Sequence, residues 1–491
     1  MIPIGETQDG RADMTNFEMD LFDTKINSYA LEKEESEQCC QHSIIKPACV
    51  PVSIISLFIF LIVFFPLFNE DGLDTTSIRY DRSGYCTDQC RMEMVETIPS
   101  ILIFDNSSLT SLSTYDVWKQ LLDDARISID VASFYWNLRD PAAHSISWQG
   151  NDTFERFIAA AERGVRIRIV QSQPTATFPQ LDSDYFAENG YAAVRNLDIS
   201  KLMDENGILH AKFWIVDSQH VYIGSANMDW KSLTEVKELG VVIWNCTCIA
   251  NDLYKIFNIY WRLGVRGAKI PHKWPLNLRT YFNFSHPLKL LSATDTSVFI
   301  SSSPPQFSAK GREDDSDAIV AVMDNAREFV HISVMDYMPA TIYRTFNNNI
   351  YWPKLDNAIR ATAYRGVNVR LLVSHWKYSL PEMIHFLKSL LEINDGMPRI
   401  ASHSGKIEVK LFTIPVNQSH EEISHTLVNH NKYMVTEKIA YFGTSNWAAD
   451  YFISSAGVGI SFISSTHVKS LNAVFMRDWT SKYAKTVREF L

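Results

Sequence analysis

The sequence predicts an α/β protein made of two related halves behind one apolar span. Three observations lead there. Short runs rich in Val, Ile and Phe alternate with amphipathic stretches of helical period, the pattern of an α/β fold. That order of elements then recurs. DDARISIDVASFYW (123–136) matches DNAREFVHISVMDY (324–337), and FERFIAAAERGVRIRIV matches LDNAIRATAYRGVNVRLLV, with Arg163-Gly164-Val165 answering Arg365-Gly366-Val367. Finally, Ala48 to Phe68 is a 21-residue run without a charge, long enough to cross a bilayer.

Taken in order, residues 1–47 hold four Lys/Arg against ten Asp/Glu and few aromatics, which predicts a disordered acidic tail. Residues 48–68 read as a signal anchor, because the preceding stretch is too long for the n-region of a cleaved signal peptide. Pro51 and Pro66 sit near its ends, where they disturb a helix least. Lys33 and Lys46 on one flank balance Arg79 and Arg82 on the other, so basic residues do not set the orientation. The glycosylation sequons do: Asn106, Asn151, Asn245, Asn283 and Asn417 all follow the span and place the body in a lumen. Cys39, Cys40 and Cys49 then flank the cytosolic side, as palmitoylation sites or free thiols.

Residues 69–96 read as a lumenal stalk. The first half, 97–300, is expected to hold strands at Ile101–Phe104, Ile127–Phe134, Val165–Val170, Phe213–Val216, Val221–Ile223 and Gly240–Trp244. A helix begins with Val117–Leu122, and others fall at Phe154–Glu162 and Asp252–Leu263. The boundary lies in the loop-like SSSPPQFSAKGREDDSD, between about Pro287 and Asp317, and 301–491 forms the second half.

Four cysteines belong to the body. Cys246 and Cys248 are too close along a strand to pair with each other, so they are expected to pair with Cys86 and Cys90. Antiparallel approach favours Cys86–Cys248 with Cys90–Cys246, and the opposite register stays open. The net charge of −10 argues against a dedicated DNA-binding protein at neutral pH. Outside the acidic tail the balance is 42 Lys/Arg against 46 Asp/Glu, and 13 of the 14 histidines lie there. With an ordinary histidine pKa of about 6.5, that part turns net positive near pH 5.

The chemistry concentrates in HAKFWIVDSQHVYIGSAN, residues 210–227. His210 and Lys212 are two apart, hence on one face of a strand. Asp217 closes that strand, and Gly224-Ser225 turns towards Asn227. An imidazole, an ammonium and a carboxamide gathered at one strand end suit a phosphate diester. A single His-x-Lys says little, but HNKYMVTEKIAYFGTSN repeats the arrangement with His430, Lys432, Glu437, Gly443, Thr444 and Asn446. Glu238, 28 residues after His210, is placed to take the Nδ1 proton and orient that ring, against the plain reading of a solvated strand-end acid. Its counterpart in the second half is read as Ser455. His420 and His425 read as solvated loop histidines rather than ligands.

The paired motifs resemble the phospholipase D superfamily, whose signature is HxK, four residues, D, six residues, then GSxN. The first copy matches throughout. The second has Glu437 for the aspartate, one residue fewer before the glycine, and Thr444 for serine. NHNKYMVTEKIAYFGTSNW and SANMDWKSLTEVKELGVV bring the body closest to the phospholipase D3 and D4 branch.

That resemblance implies two α/β/α sandwich domains about a pseudo-twofold axis, with His210 facing His430. It implies a metal-independent lysosomal 5′-to-3′ exonuclease on single-stranded DNA and RNA, working through a phosphohistidine. Phospholipid hydrolysis or transphosphatidylation is the alternative. His430 would be the nucleophile and His210 the proton donor, with Lys212 and Lys432 on the phosphate oxygens. Asn227, Asn446, Ser225 and Thr444 would bind phosphate, and Asp217 and Glu437 would be structural. Trp447, beside Asn446, would offer a stacking surface. No cofactor or metal is implied. The protein would be a type II membrane protein of endoplasmic reticulum, late endosome and lysosome, and the picture admits a homodimer and a released soluble form.

Overall fold

The structure, a computed structural model, describes residues 84–104, 111–292, 296–343, 349–399, 404–416 and 423–490. The expected tail, the apolar span, Cys39, Cys40, Cys49, Asn106, Asn417 and His420 lie outside these. Among the described residues no helix is long and apolar enough to cross a membrane.

The sequence repeat is a repeat of topology. One sheet runs Leu112–Ser113, Arg91–Thr97, Glu238–Trp244, His220–Gly224, Phe213–Val216, Ser128–Ser133, Arg166–Ser172, Ala193–Leu197. The other contains, in matching order, Glu313–Asp314, Thr296–Ser303, Gly457–Ile463, Ile439–Gly443, Lys432–Thr436, Phe329–Val334, Asn368–Ser374, Ile407–Phe412. In each, the last three strands run parallel and the four pairings before them are antiparallel. The motif strands are therefore central and covered on both faces, which is why they read as continuous apolar runs.

Alternation along those strands feeds separate cores. Trp214 points outward onto the helices Thr114–Asp124 and Trp148–Glu162, while Phe213 and Ile215 point inward. Met434 likewise faces the outer core of the second half, and Tyr433 and Val435 the inner one. The inner core holds strand residues of both sheets together with the helices Thr247–Leu263 and Ser465–Thr480. It joins the two halves into one body.

Three expectations need correction. Ile101–Phe104 is no strand: Leu102 turns back onto the Pro99 carbonyl, and the Ile103 amide donates to the Tyr483 hydroxyl instead of a ladder. The strand is Arg91–Thr97, inside the expected stalk; its interspersed charges disguised seven residues paired along Glu238–Trp244. The 300/301 boundary cuts through Thr296–Ser303, a strand of the second sheet, and that sheet already includes Leu288–Leu290. Serines 301–303 look loop-like in sequence because they pack against backbone and polar side chains rather than apolar surface.

The disulfides take the favoured register, Cys86–Cys248 and Cys90–Cys246. Between the first two cysteines, Asp88 accepts hydrogen bonds from the Thr247 and Cys248 amides, satisfying the free N-terminus of the helix Thr247–Leu263.

Candidate active site

Each motif histidine is held in place by the opposite half. The His210 amide donates to the Ala456 carbonyl at 2.8 Å, beside the start of Gly457–Ile463. The His430 amide donates to the Lys237 carbonyl at 2.8 Å, beside the start of Glu238–Trp244. Parallel bridges join Leu209 to Ala456 and Asn429 to Lys237. The exchange is reciprocal and brings both motifs to one site.

His210, Lys212, His430 and Lys432 are 5%, 2%, 8% and 2% exposed. Lys212 Nζ turns back to the His210 carbonyl at 2.6 Å, and Lys432 Nζ does the same to that of His430. Crowding cations in a desolvated place disfavours their charge. Burial brings Lys432 down to about 7, against the pull of Glu238 and Asp336. Lys212 falls well below the usual lysine range, through burial and then the charge of Lys432. Burial also takes His430 down to about 4 although Glu238 supports its charged form. His210 falls well below 6.5 through burial and then Lys212 and Lys432. A phosphate diester entering here would supply the missing negative charge and reverse these shifts.

Glu238 is fully buried and serves the other histidine from the one expected. Its carboxylate oxygens lie 2.8 and 3.1 Å from His430 Nδ1. They also accept from Ser225 Oγ at 2.5 Å and Ser232 Oγ at 2.8 Å. Burial alone would raise this carboxyl, but His430 and the surrounding donors hold it below its usual value. With Nδ1 committed to the carboxylate, Nε2 of His430 presents its lone pair. His210 has no such partner, and its Nδ1 makes no hydrogen bond among the described residues. Its ring is set instead between Phe134 and Tyr451, at centroid distances of 5.7 and 4.8 Å.

Ladder register explains the asymmetry and corrects the counterpart. Gly240 pairs with Gly224 as Gly459 pairs with Gly443, so Glu238 corresponds to Gly457 and not to Ser455. With one residue fewer in the second motif, the position 28 after His210 answers the position 27 after His430. A Cβ at position 457 would lie 2.2 Å from Ser445 Oγ, so a side chain there would have to displace that serine.

Asp217 and Glu437 stand at the far ends of the motif strands. Asp217 accepts from the Arg126, Ile127 and Ser128 amides, and Glu437 from those of Arg327 and Glu328. Each caps a turn; neither touches the histidines. Ser225 and Thr444, expected on phosphate, are buried with their hydroxyls engaged, Ser225 with Glu238 and Thr444 with the Val458 amide. Asn446 gives its amide protons to Asp336 at 2.9 Å and to the Tyr451 hydroxyl at 3.1 Å. The carboxamide oxygens of Asn227 and Asn446 have no partner among the described residues.

Trp447 is 2% exposed and packs in the outer core of the second half, so it offers no stacking surface. His425 is exposed and lies flat on Tyr378 at 4.6 Å. Asn151 and Asn245 are exposed, and Asn283 is half-buried. Sequence reading missed Ser232, Tyr451, Asp336 and Phe134. A signal for two of them existed: Ser232 and Tyr451 each stand eight residues before the matched glycines Gly240 and Gly459.

Residues 106–417 match a family model described as "PLD3/4, PLD-like domain". A Caenorhabditis elegans protein named probable phospholipase D is 47% identical, over 98% of this chain and 89% of its own length. Proteins named 5'-3' exonuclease PLD3 are similar too: that of Xenopus tropicalis is 43% identical over 89% of this chain and 90% of its own. The human one is 42% identical over 82% of each. Among solved structures, a phosphatidylserine synthase of Haemophilus influenzae shares the fold, with a TM-score of 0.51 and 14% identity, over 76% of this chain and 86% of that one.

Proposed function

Because the chain belongs to the PLD3/4 family of PLD-like domains, we propose that this phosphodiesterase acts as a 5′-to-3′ exonuclease on single-stranded DNA and RNA. The observation that supports it most is the pairing of Glu238 with His430 Nδ1 across the two halves, beside a His210 without a carboxylate. The family match and the exonuclease names of its relatives point the same way.

His430 Nε2 attacks phosphorus, forming a P–N bond as the bond to the leaving oxygen breaks. His210 gives that oxygen its proton. In the second step His210 takes a proton from water, the water oxygen attacks phosphorus, and the P–N bond breaks. Lys212 and Lys432 stabilise the charge on the non-bridging oxygens throughout. Those ammonium groups supply the positive charge that the transition state requires.

The body stands in an acidic lumen in this reading, tethered by an anchor at residues 48–68. The sequons after that run and two disulfides in the body support an oxidising compartment. Purified lumenal protein offered a 5′-hydroxyl single strand and an anionic phospholipid at pH 5 should degrade the strand from its 5′ end. Release of lipid headgroup without strand degradation would favour the phospholipase or transphosphatidylase reading instead.

A further inference from the structure

The chain is acidic overall, yet residues 253–294 contain seven Lys/Arg and no Asp/Glu. Three of these cations, Arg266, Lys269 and Lys273, stand exposed on the segment that follows the helix Thr247–Leu263. None of the three has an ion-pair partner among the described residues. The segment is fastened to the body along its length. Arg195 donates to the Trp261 carbonyl at 2.7 Å, and the Ala268 amide turns back onto the Val265 carbonyl at 3.0 Å. Trp274 Nε1 donates to the Gln306 carbonyl at 3.0 Å, and Leu278 closes into the inner core. An ordinary solvated face interleaves both signs of charge; cations fixed close together without counter-charges repel one another and attract an anion.

The place of the segment selects the anion. Arg195 lies two residues before the end of Ala193–Leu197, and the neighbouring strand ends at Ser172, whose hydroxyl takes the Leu209 amide at 3.2 Å. On the other side, Gln306 follows Ser303 by three residues. The Ser303 hydroxyl donates to the Ser455 carbonyl and accepts from the Gly457 amide, around the Ala456 carbonyl that holds His210. Both contacts put the segment at the His210 end of the body. The start of the helix is the opposite end, tied by disulfides to Cys86 and Cys90, where the chain enters the body. The 17 residues of the helix, at 1.5 Å each, separate the two ends by about 25 Å. That distance favours a strand leaving the site over a bilayer holding the chain ahead of residue 84.

We infer that Arg266, Lys269 and Lys273 hold the phosphates of the nucleic acid strand that departs past His210, an assignment that rests on the nucleolytic reading above. The oxygen that His210 protonates is the first atom of that strand, so the strand runs out on the side where the three cations stand. Phosphates recur along any sequence, so these contacts carry no base preference. They keep the shortened strand beside the site after each cut.

The test compares strand lengths. The full-length enzyme is offered a 5′-hydroxyl dodecamer and a 5′-hydroxyl dinucleotide, which has one phosphate and no departing strand. Each phosphate contact to a single strand contributes about −0.7 to the slope of log affinity against log salt. Arg266→Gln, Lys269→Gln and Lys273→Gln together should therefore flatten that slope for dodecamer kcat/KM by about 2. Between about 50 and 200 mM salt this makes the fall in dodecamer kcat/KM roughly twentyfold smaller than in the unsubstituted enzyme. At the lower salt the ratio of dodecamer to dinucleotide kcat/KM should drop about tenfold, mainly through KM. Cleavage of the dinucleotide reports that the variant is folded. Arg166→Gln, Lys289→Gln and Lys438→Gln remove the same charge from exposed positions at the far ends of the strands, and should keep both the ratio and the slope. An equal loss in that second variant, an equal loss on both substrates, or no loss on either would overturn the assignment. So would a variant that keeps the ratio but, immobilised at full length, no longer captures phosphatidylserine liposomes, since the segment would then serve a membrane. Failure of the unsubstituted enzyme to cut either strand would overturn the exonuclease reading, in an arm that needs no variant.

Discussion

Glu238 and His430 are 192 residues apart and belong to different halves, yet a carboxylate oxygen of one lies 2.8 Å from Nδ1 of the other. Its counterpart in the second half is Gly457, which has no side chain to offer His210 and is crowded by the Ser445 hydroxyl. Two histidines from near-identical motifs are thereby made chemically unequal. One is fixed in a single tautomer with Nε2 free to attack. The other is flanked by rings and left to exchange a proton.

Glu238→Gln tests that inequality. The amide keeps the volume but no longer fixes the His430 tautomer, so kcat should fall by about 10²–10⁴. KM should move much less, because the lysines that hold phosphate are untouched. Single-turnover and steady-state kinetics on a short strand would measure both. A loss under about threefold would place Glu238 outside the mechanism.

The motifs were legible because chemistry there depends on local spacing: His210 with Lys212 and His430 with Lys432 need only a strand to share a face. The partner of His430 was not, because Glu238 crosses to the other half, and its histidine follows from reciprocal strand pairing that a linear reading does not contain. Counting from His210 suggested the wrong ring, and the counterpart Gly457 emerges only from the ladder register of the two sheets. Trp447 shows the reverse error, an aromatic beside the site in sequence but buried in the outer core. The strand Arg91–Thr97 was hidden for a further reason: one of its charges, Glu96, is buried in a joint between the halves.

That joint is an ion cluster with almost no exposure. Lys237 Nζ lies 2.8 Å from Asp478 Oδ2 and 3.6 Å from Glu96 Oε1, and Arg477 bridges Glu96 at 2.6 Å and Asp478 at 2.9 Å. Lys237 directly precedes Glu238 and takes the His430 amide on its carbonyl. Asp478→Asn should leave the buried ammonium short of its nearest counter-charge, at a cost of about 3–5 kcal/mol. Urea unfolding would measure it, and a loss below ~1 kcal/mol would show that the cluster does not need this carboxylate.

Proton linkage follows from the depressed histidines. His430 and His210 sit below the 6.5 of an unfolded histidine, so the unfolded chain binds more protons as pH falls through 6.5 towards 4. The stability these two rings contribute is complete above 6.5 and lost on acidification. An anion between them raises their pKa values, takes up protons on binding, and so binds more tightly as pH falls. A nuclease-resistant phosphorothioate dinucleotide, whose own charge is constant over this range, should bind roughly ten- to a hundredfold more tightly at pH 5 than at pH 7. His210→Ala should flatten the dependence. Equal affinity at both pH values would contradict the linkage. Hydrolysis of single-stranded DNA should accordingly peak at about pH 5–6.

The central claim, one site built from two halves with unequal histidines, is tested most directly by trapping the covalent intermediate. A thymidine phosphodiester with a p-nitrophenolate leaving group needs no proton from His210, so His210→Asn should form the phosphoenzyme and then stall for want of a base. Alkaline quench and peptide mass spectrometry should place the thymidylyl group, bonded through its phosphorus, on His430 and nowhere else. An adduct on another residue, or turnover by His210→Asn without any adduct, would contradict the account.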